Sequence, residues 1–339
     1  MKPRIESNFN ISQQVSFVFG KPYVPAEGEF LLNHCRCGIL LALRSIGLQR
    51  GDVVGMMAYN CHTVMNAIDQ AGCTPAFIDV NDDLTIDFED LKKKVSGMKV
   101  LIVTHLFGII NDVRKIKELY PDMIVIEDCA HAYGIDGIFG DFATFSFGQG
   151  KFPSIGDGGL LLVKNGKYLD LVAAQYDDLP WYSRAQSVKL FTKLLLRSWM
   201  NCSFIYGWLT LPLKQRRPIA SGKETVDMRK ICRGVSAVYA KEKDKVAWII
   251  KRREQKAKET CQSLPDKGIQ QTMVGVNAFM LVVRCESPKE LQKNLYAKGI
   301  DSATHFAHAL EWAEEFGYQK GSCLNLEKLL NNLLMIPVY

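Results

Sequence analysis

Val125-Ile126-Glu127-Asp128-Cys129-Ala130-His131, then Phe142-Ala143-Thr144-Phe145-Ser146-Phe147-Gly148-Gln149-Gly150-Lys151, then Gly156-Asp157-Gly158-Gly159, is the stretch on which the fold turns. Its first run is Val- and Ile-rich and closes on two carboxylates. The second is apolar and opens into a Gly-rich loop with a single lysine. Each run is short enough for a strand and apolar enough to be buried on both faces. An acid, a hydroxyl and an amine therefore stand at the ends of neighbouring strands, where open parallel sheets gather their ligands.

Outward from this stretch the same alternation continues. Residues 53–59, 75–80, 100–106, 123–128, 143–147 and 159–163 read as buried strands. Amphipathic segments 39–46, 63–71, 87–95 and 112–119 read as helices among them. The alternation predicts β-α-β crossovers and an α/β fold with a mainly parallel sheet. Further on, 233–261 reads as one long basic helix, 278–283 as a strand, 288–298 as a helix and 324–334 as a final helix. The expected organisation is a large domain over 1–183, a basic apolar insertion over 184–222, and the long helix with a smaller C-terminal α/β domain over 223–339.

With 339 residues, 47% hydrophobic and 23% charged, the chain is an ordinary globular one and neither fibrous nor disordered. Ten cysteines are too dilute for a disulfide scaffold, and Met1-Lys2-Pro3-Arg4-Ile5-Glu6 has no apolar core of a secretion signal. A reducing, cytoplasmic location is the expectation. Cys35 and Cys37 have no second Cys/His pair at zinc spacing, so no metal is expected.

The net charge of +6 is uneven: residues 184–256 carry eighteen Lys or Arg against five Asp or Glu. Such a block suits nucleic acid, anionic lipid or a phosphorylated small molecule. No nucleic-acid motif accompanies it, so nucleic acid is not expected. Residues 179–223 contain no acid at all, and 190–213 is largely apolar with Lys193 and Arg197 inside it and Lys214, Arg216 and Arg217 after it. Its uncharged part is too short to span a membrane. It suits either a peripheral contact at the inner membrane face, with Trp199, Tyr206 and Trp208 among the headgroups, or a helical insertion packed on the protein or a partner subunit.

Taken singly, the side chains leave alternatives open. Asp128 either meets a cation or caps a following helix. Lys151 suits a phosphate contact or a desolvated amine that forms a Schiff base. It is not a P-loop lysine, because Phe145 stands where the first glycine belongs and Phe152 follows the lysine. A Gly-x-Gly fingerprint opening a helix after the first strand is also missing. His105 reads as a hydrogen-bonded core residue. Together, an Asp ending one strand, a Ser in the next and a Lys five residues after that Ser form the set a pyridoxal phosphate site requires.

Ile126-Glu127-Asp128-Cys129-Ala130-His131-Ala132-Tyr133-Gly134, Gly140-Asp141-Phe142-Ala143-Thr144-Phe145-Ser146-Phe147, Lys151 and Gly156-Asp157-Gly158-Gly159 resemble the motifs of the DegT/DnrJ/StrS sugar aminotransferases. Ala71-Gly72-Cys73-Thr74-Pro75-Ala76-Phe77-Ile78-Asp79-Val80 and His105-Leu106-Phe107-Gly108 match as well. The resemblance implies an aspartate aminotransferase-like fold, a pyridoxal 5'-phosphate cofactor and a homodimer. It makes Lys151 the lysine that condenses with the cofactor and carries the proton, and Asp128 the partner of the ring nitrogen. His131 falls near the ring or its phenolic oxygen, and Ser146 at the phosphate. Similar sugar dehydratases have His in place of the lysine, so Lys151 implies transamination.

Where that family has Gly-Thr at the start of the first helix, this chain has Cys35-Arg36, and an arginine there suits an anion. The aromatic that covers the ring in the family falls at Tyr59-Asn60-Cys61-His62, which adds Cys61 to the cofactor set. The family's Asn-x-Arg segment, through which a second subunit reaches the phosphate, aligns near 228–233, where no asparagine occurs. The function implied is transfer of an amino group, with glutamate as donor, to a nucleotide-linked keto sugar of surface polysaccharide or amino-sugar biosynthesis. The alternative is a non-catalytic or regulatory pyridoxal phosphate-binding homologue.

Overall fold

The structure is a computed structural model and describes residues 1–6, 9–215, 221–265 and 267–339. Arg216 and Arg217 of the basic run lie outside the described residues.

Seven strands form the main sheet: β1 (Glu29–Leu32), β2 (Val53–Met57), β3 (Thr74–Ile78), β4 (Met98–Thr104), β5 (Ile124–Asp128), β6 (Phe142–Ser146) and β7 (Gly159–Val163). Their order is β1-β7-β6-β5-β4-β2-β3. From β3 across to β6 every pairing is parallel; β7 and β1 close the sheet antiparallel. All six expected strands are present, because each is a Val-, Ile-, Leu- or Phe-rich run long enough to cross a sheet covered on both faces. Helices α1 (Ile11–Phe19), α2 (Cys35–Ser45), α3 (His62–Gln70), α4 (Phe88–Lys94) and α5 (Val113–Leu119) provide the cover with α6 (Leu169–Asp177). Asp87 and Asp112 cap α4 and α5 by accepting from backbone amides of the first turn.

Register fixes the site. Thr104 pairs with Asp128, and Asp128 with Thr144, so β4, β5 and β6 end side by side. The amides of His105 and Cys129 continue the ladder, to the carbonyls of Asp128 and Thr144 at 3.0 and 2.8 Å.

The second sheet, antiparallel, is β8 (Ile269–Val274), β9 (Leu281–Cys285) and β10 (Leu333–Ile336), in the order β10-β9-β8. Three expectations are corrected here. The helix expected over 233–261 is broken: Arg233–Glu242 passes through a 3-10 turn, Lys243–Lys245, into Val246–Gln262, with the buried Glu242 carboxylate accepting from Lys245. The strand expected at 278 begins at Leu281, since Ala278 sits at φ 44 in a turn closed on the Gly275 carbonyl. The final helix ends at Leu329, and Leu333–Ile336 is strand β10, paired with β9 and fully buried. The amino terminus reaches this unit too, through the Lys2 amide on the Gly299 carbonyl at 2.7 Å.

Between the two sheets in sequence lies α7 (Arg184–Met200), opened by a capping box of Ser183 and Gln186. It buries Leu190 and Leu194 in a cluster with Phe9, Phe147, Ile155, Ile231 and Val235, so the segment is packed on the protein. Trp199, Phe204 and Trp208 remain exposed at 59, 82 and 65%. Tyr206, expected among headgroups, is instead buried, and its hydroxyl donates to Asp301 at 2.5 Å. Among the described residues no helix is long and apolar enough to cross a membrane.

Candidate active site

Asp128 ends β5 almost without solvent contact. An ionised carboxylate in that position requires donors, and it has them. The Ala130 amide donates to one oxygen at 3.0 Å, and the Thr104 hydroxyl to the other at 3.2 Å, while the Asn60 amide donates to Thr104 at 2.8 Å. Burial pushes the Asp128 carboxyl up; the Ala130 amide and the Thr104 hydroxyl act against it. No helix begins between β5 and β6, so Asp128 caps none and the alternative reading of it falls away.

Lys151 leaves the loop between β6 and β7, which Gly148 and Gly156 pinch together and which turns at Gly150 with φ 75. Its Nζ lies 2.5 Å from Nε2 of His131. The other ring nitrogen of His131, Nδ1, accepts the Phe107 amide at 3.2 Å. A neutral imidazole that accepts on Nδ1 carries its proton on Nε2, so His131 donates to the lone pair of an uncharged Lys151 amine. Both shifts run the same way: burial lowers Lys151, and burial holds His131 well below its ordinary range.

The small unit covers this pair. Phe279 stacks on the His131 ring at 4.5 Å and 18°, and Phe306 lies parallel to it at 5.7 Å and 8°. Asn277 donates to the carbonyls of both His131 and Tyr133, fixing the turn. Tyr59 is buried away from the cavity with its hydroxyl on the His305 carbonyl at 2.6 Å. His105 is a core residue as expected: fully buried, it donates to Glu127 at 2.9 Å and accepts the Asn111 amide at 3.1 Å.

At the start of α2, Cys35 turns its thiol toward Asp128, 3.8 Å away. Arg36 reaches Glu224 at 3.4 Å through Nη1, while its Nε is buried with no hydrogen-bond partner among the described residues. Ser146 accepts weakly from the Gly148 amide at 3.4 Å. Cys61 precedes α3 and receives the Thr63 hydroxyl at 3.2 Å.

Lys151, Asp128, His131, Ser146, Cys35, Arg36 and Cys61 all line one cavity of about 380 Å³, a volume within the range of small-ligand sites. Lys193 and Arg197 of α7, His34 and Asp157 line it as well. The acid-free composition of 179–223 hinted at the two cations, but not at the helix face that turns them inward.

Residues 23–175 match the DegT/DnrJ/EryC1/StrS aminotransferase family. Over these residues the chain is similar to that family. The match contains all seven expected site residues and stops short of α7. A GDP-perosamine synthase of Escherichia coli O157:H7 is 36% identical over 139 residues, covering 38% of this chain and 38% of its own. A dTDP-3-amino-3,4,6-trideoxy-α-D-glucose transaminase of Micromonospora megalomicea is 32% identical over 138 residues, 38% of this chain and 37% of its own. The chain thus spans under two fifths of the length of these family relatives. The fold extends further: an aminotransferase from Streptoalloteichus hindustanus superposes with a TM-score of 0.75 at 18% identity, covering 100% of this chain and 93% of that one.

Proposed function

We propose that the chain is a pyridoxal phosphate-dependent aminotransferase that moves an amino group, with glutamate as donor, onto a keto sugar carried on a nucleotide. One observation carries the reading: a desolvated lysine amine, an imidazole that leaves it uncharged and a buried carboxylate converge in one cavity whose wall is the start of a helix. The donor set fits the group. Arg36, with its buried unpartnered Nε, the α2 amides and Ser146 suit a phosphate. Asp128, braced by Thr104 and Ala130, suits a protonated ring nitrogen. When bound, the cofactor supplies an electron sink that lets an amino acid lose its Cα proton.

This chain's own residues do the rest. Lys151 offers an uncharged amine, first as nucleophile and then as the base that lifts and returns the proton. His131 holds that amine uncharged and aimed. Phe279 and Phe306 exclude water above it. The nucleotide-linked sugar is supported by the two relatives, whose names are those of nucleotide-sugar enzymes. The family resemblance supports a homodimer, and the dilute cysteines support a reducing, cytoplasmic location. Contact with the inner membrane face is supported by Trp199, Phe204 and Trp208, exposed on a segment without acids.

The test is glutamate-dependent amination across a panel of nucleotide-linked keto sugars, with release of 2-oxoglutarate. Turnover on one of them is expected. Cofactor bound at Lys151 without any turnover is the signature of the non-catalytic alternative.

A further inference from the structure

Lys193 and Arg197 are one helical turn apart on α7, so they share a face, and both line the cavity that holds Lys151. Leu194 between them lies against Gly156, where a Cβ would meet it at 2.8 Å, so the helix cannot be lifted off the loop without opening the site. Among the described residues neither cation has a hydrogen bond or an ion pair. They also crowd each other: burial lowers Lys193, and the Arg197, Arg36 and Lys189 charges lower it further against Asp157. The carboxylate nearest in charge, Asp157, is itself pushed up by burial and is shared with His34 at 3.7 Å. Lys193 and Arg197, together with Arg36, which also reaches Glu224 at 3.4 Å, face one cavity, and like charges so placed repel one another until a polyvalent anion enters.

We propose that Lys193 and Arg197, with Arg36, form a phosphate-recognition subsite that the α7 insertion adds to the cavity in cis. The assignment rests on the reading of the cavity given above for the identity of its ligands, but not for the anion site itself. Arg197 brings a planar fork suited to two phosphate oxygens, and Lys193, at the exposed edge, a point charge. The phosphate belongs either to the cofactor or to the diphosphate of the nucleotide-linked sugar. A single carboxylate of the amino donor is the poorer match for three cations.

The experiment compares the wild type with K193Q/R197Q, which keep much of the stems that cover apolar surface. Pyrophosphate is titrated calorimetrically; pyridoxal phosphate, pyridoxal, UDP and GDP are titrated in parallel. Pyrophosphate affinity is expected to fall at least tenfold. If pyridoxal phosphate weakens by that factor and pyridoxal does not, the subsite holds the cofactor's phosphate. If UDP or GDP weakens while pyridoxal phosphate is unchanged, it holds the sugar nucleotide. Pyrophosphate affinity within twofold of wild type, or a rise confined to the KM for glutamate, overturns the proposal. Thermal melting and adduct formation at Lys151 establish that the double variant is folded, and R197K/K193R is expected to recover part of the pyrophosphate affinity. Loss of the Lys151 adduct in the wild type would sink the cofactor reading and leave the pyrophosphate result standing.

Discussion

His131 Nε2 sits 2.5 Å from Lys151 Nζ, and because the Phe107 amide occupies the other ring nitrogen, the proton between them belongs to the histidine. The lysine is thereby kept as a free amine inside the protein, the form a nucleophile and proton carrier needs. Burial alone lowers Lys151; the imidazole adds direction.

Replacing His131 by Asn removes the donor to that lone pair. The acid limb of the kcat/KM profile, which reports ionisation of the pair, should then move to higher pH, with turnover down about 10²-fold. A profile superposable on the wild type would mean that the imidazole does not act on the amine.

The second prediction concerns stability. Burial holds His131 and His305 well below the ordinary histidine range. In the unfolded chain each takes a proton near pH ~6.5, so the unfolded state binds more protons than the folded one below that point. Their contribution is complete above pH ~6.5 and is lost as pH falls from there toward the folded value. Each costs up to about 1.4 kcal/mol per pH unit in that window. Urea unfolding between pH 7.5 and 5 should therefore show a shallower loss in His305→Phe than in the wild type. Parallel curves would contradict a buried neutral His305.

Cys61 gives a chemical readout. Burial pushes its thiol up, but the His62 hydrogen bond and charge, together with Thr63, outweigh that and leave it below its usual value. Cys35 and Cys129, deep beside carboxylates, are pushed well up. Iodoacetamide at neutral pH should label Cys61 and the exposed Cys202 ahead of Cys35 and Cys129, and pyridoxal phosphate should protect Cys61 alone. Peptide mapping decides it; equal protection of Cys202 would remove the link to the cavity.

Tyr206→Phe tests how the segment after α7 is anchored. The hydroxyl donates to Asp301, as does that of Tyr296 at 3.0 Å. Its loss should cost about 1–3 kcal/mol, read as a lower melting temperature, with kcat unchanged. An unchanged melting temperature would show that the contact does not hold the segment.

The main sheet was legible because each parallel strand is an apolar run bounded by turn residues, and the motif spacing put Asp128, Ser146 and Lys151 at adjacent strand ends. β1 is not legible in the sequence because Phe30-Leu31-Leu32 is a three-residue run, which reads equally as strand or helix until β7 lies beside it. β10 reads as helix for a related reason: Leu329, Leu330, Leu333 and Leu334 fit a helical face, and only pairing with β9 makes the last two a strand. The site's outer wall was the least visible part. Nothing local in α7 says that Lys193 and Arg197 turn inward while Trp199 turns out, since packing of Leu190 and Leu194 sets that rotation. Phe279 and Phe306 come from a unit over a hundred residues away, and no spacing rule connects them to His131.

The most direct test of the account is reduction of the protein with borohydride in the presence of pyridoxal phosphate, followed by peptide mapping. The adduct is predicted on Lys151, and Lys151→Ala is predicted to form none and to lose the visible absorbance of the bound cofactor. An adduct on a different lysine, or none in the wild type, would contradict it.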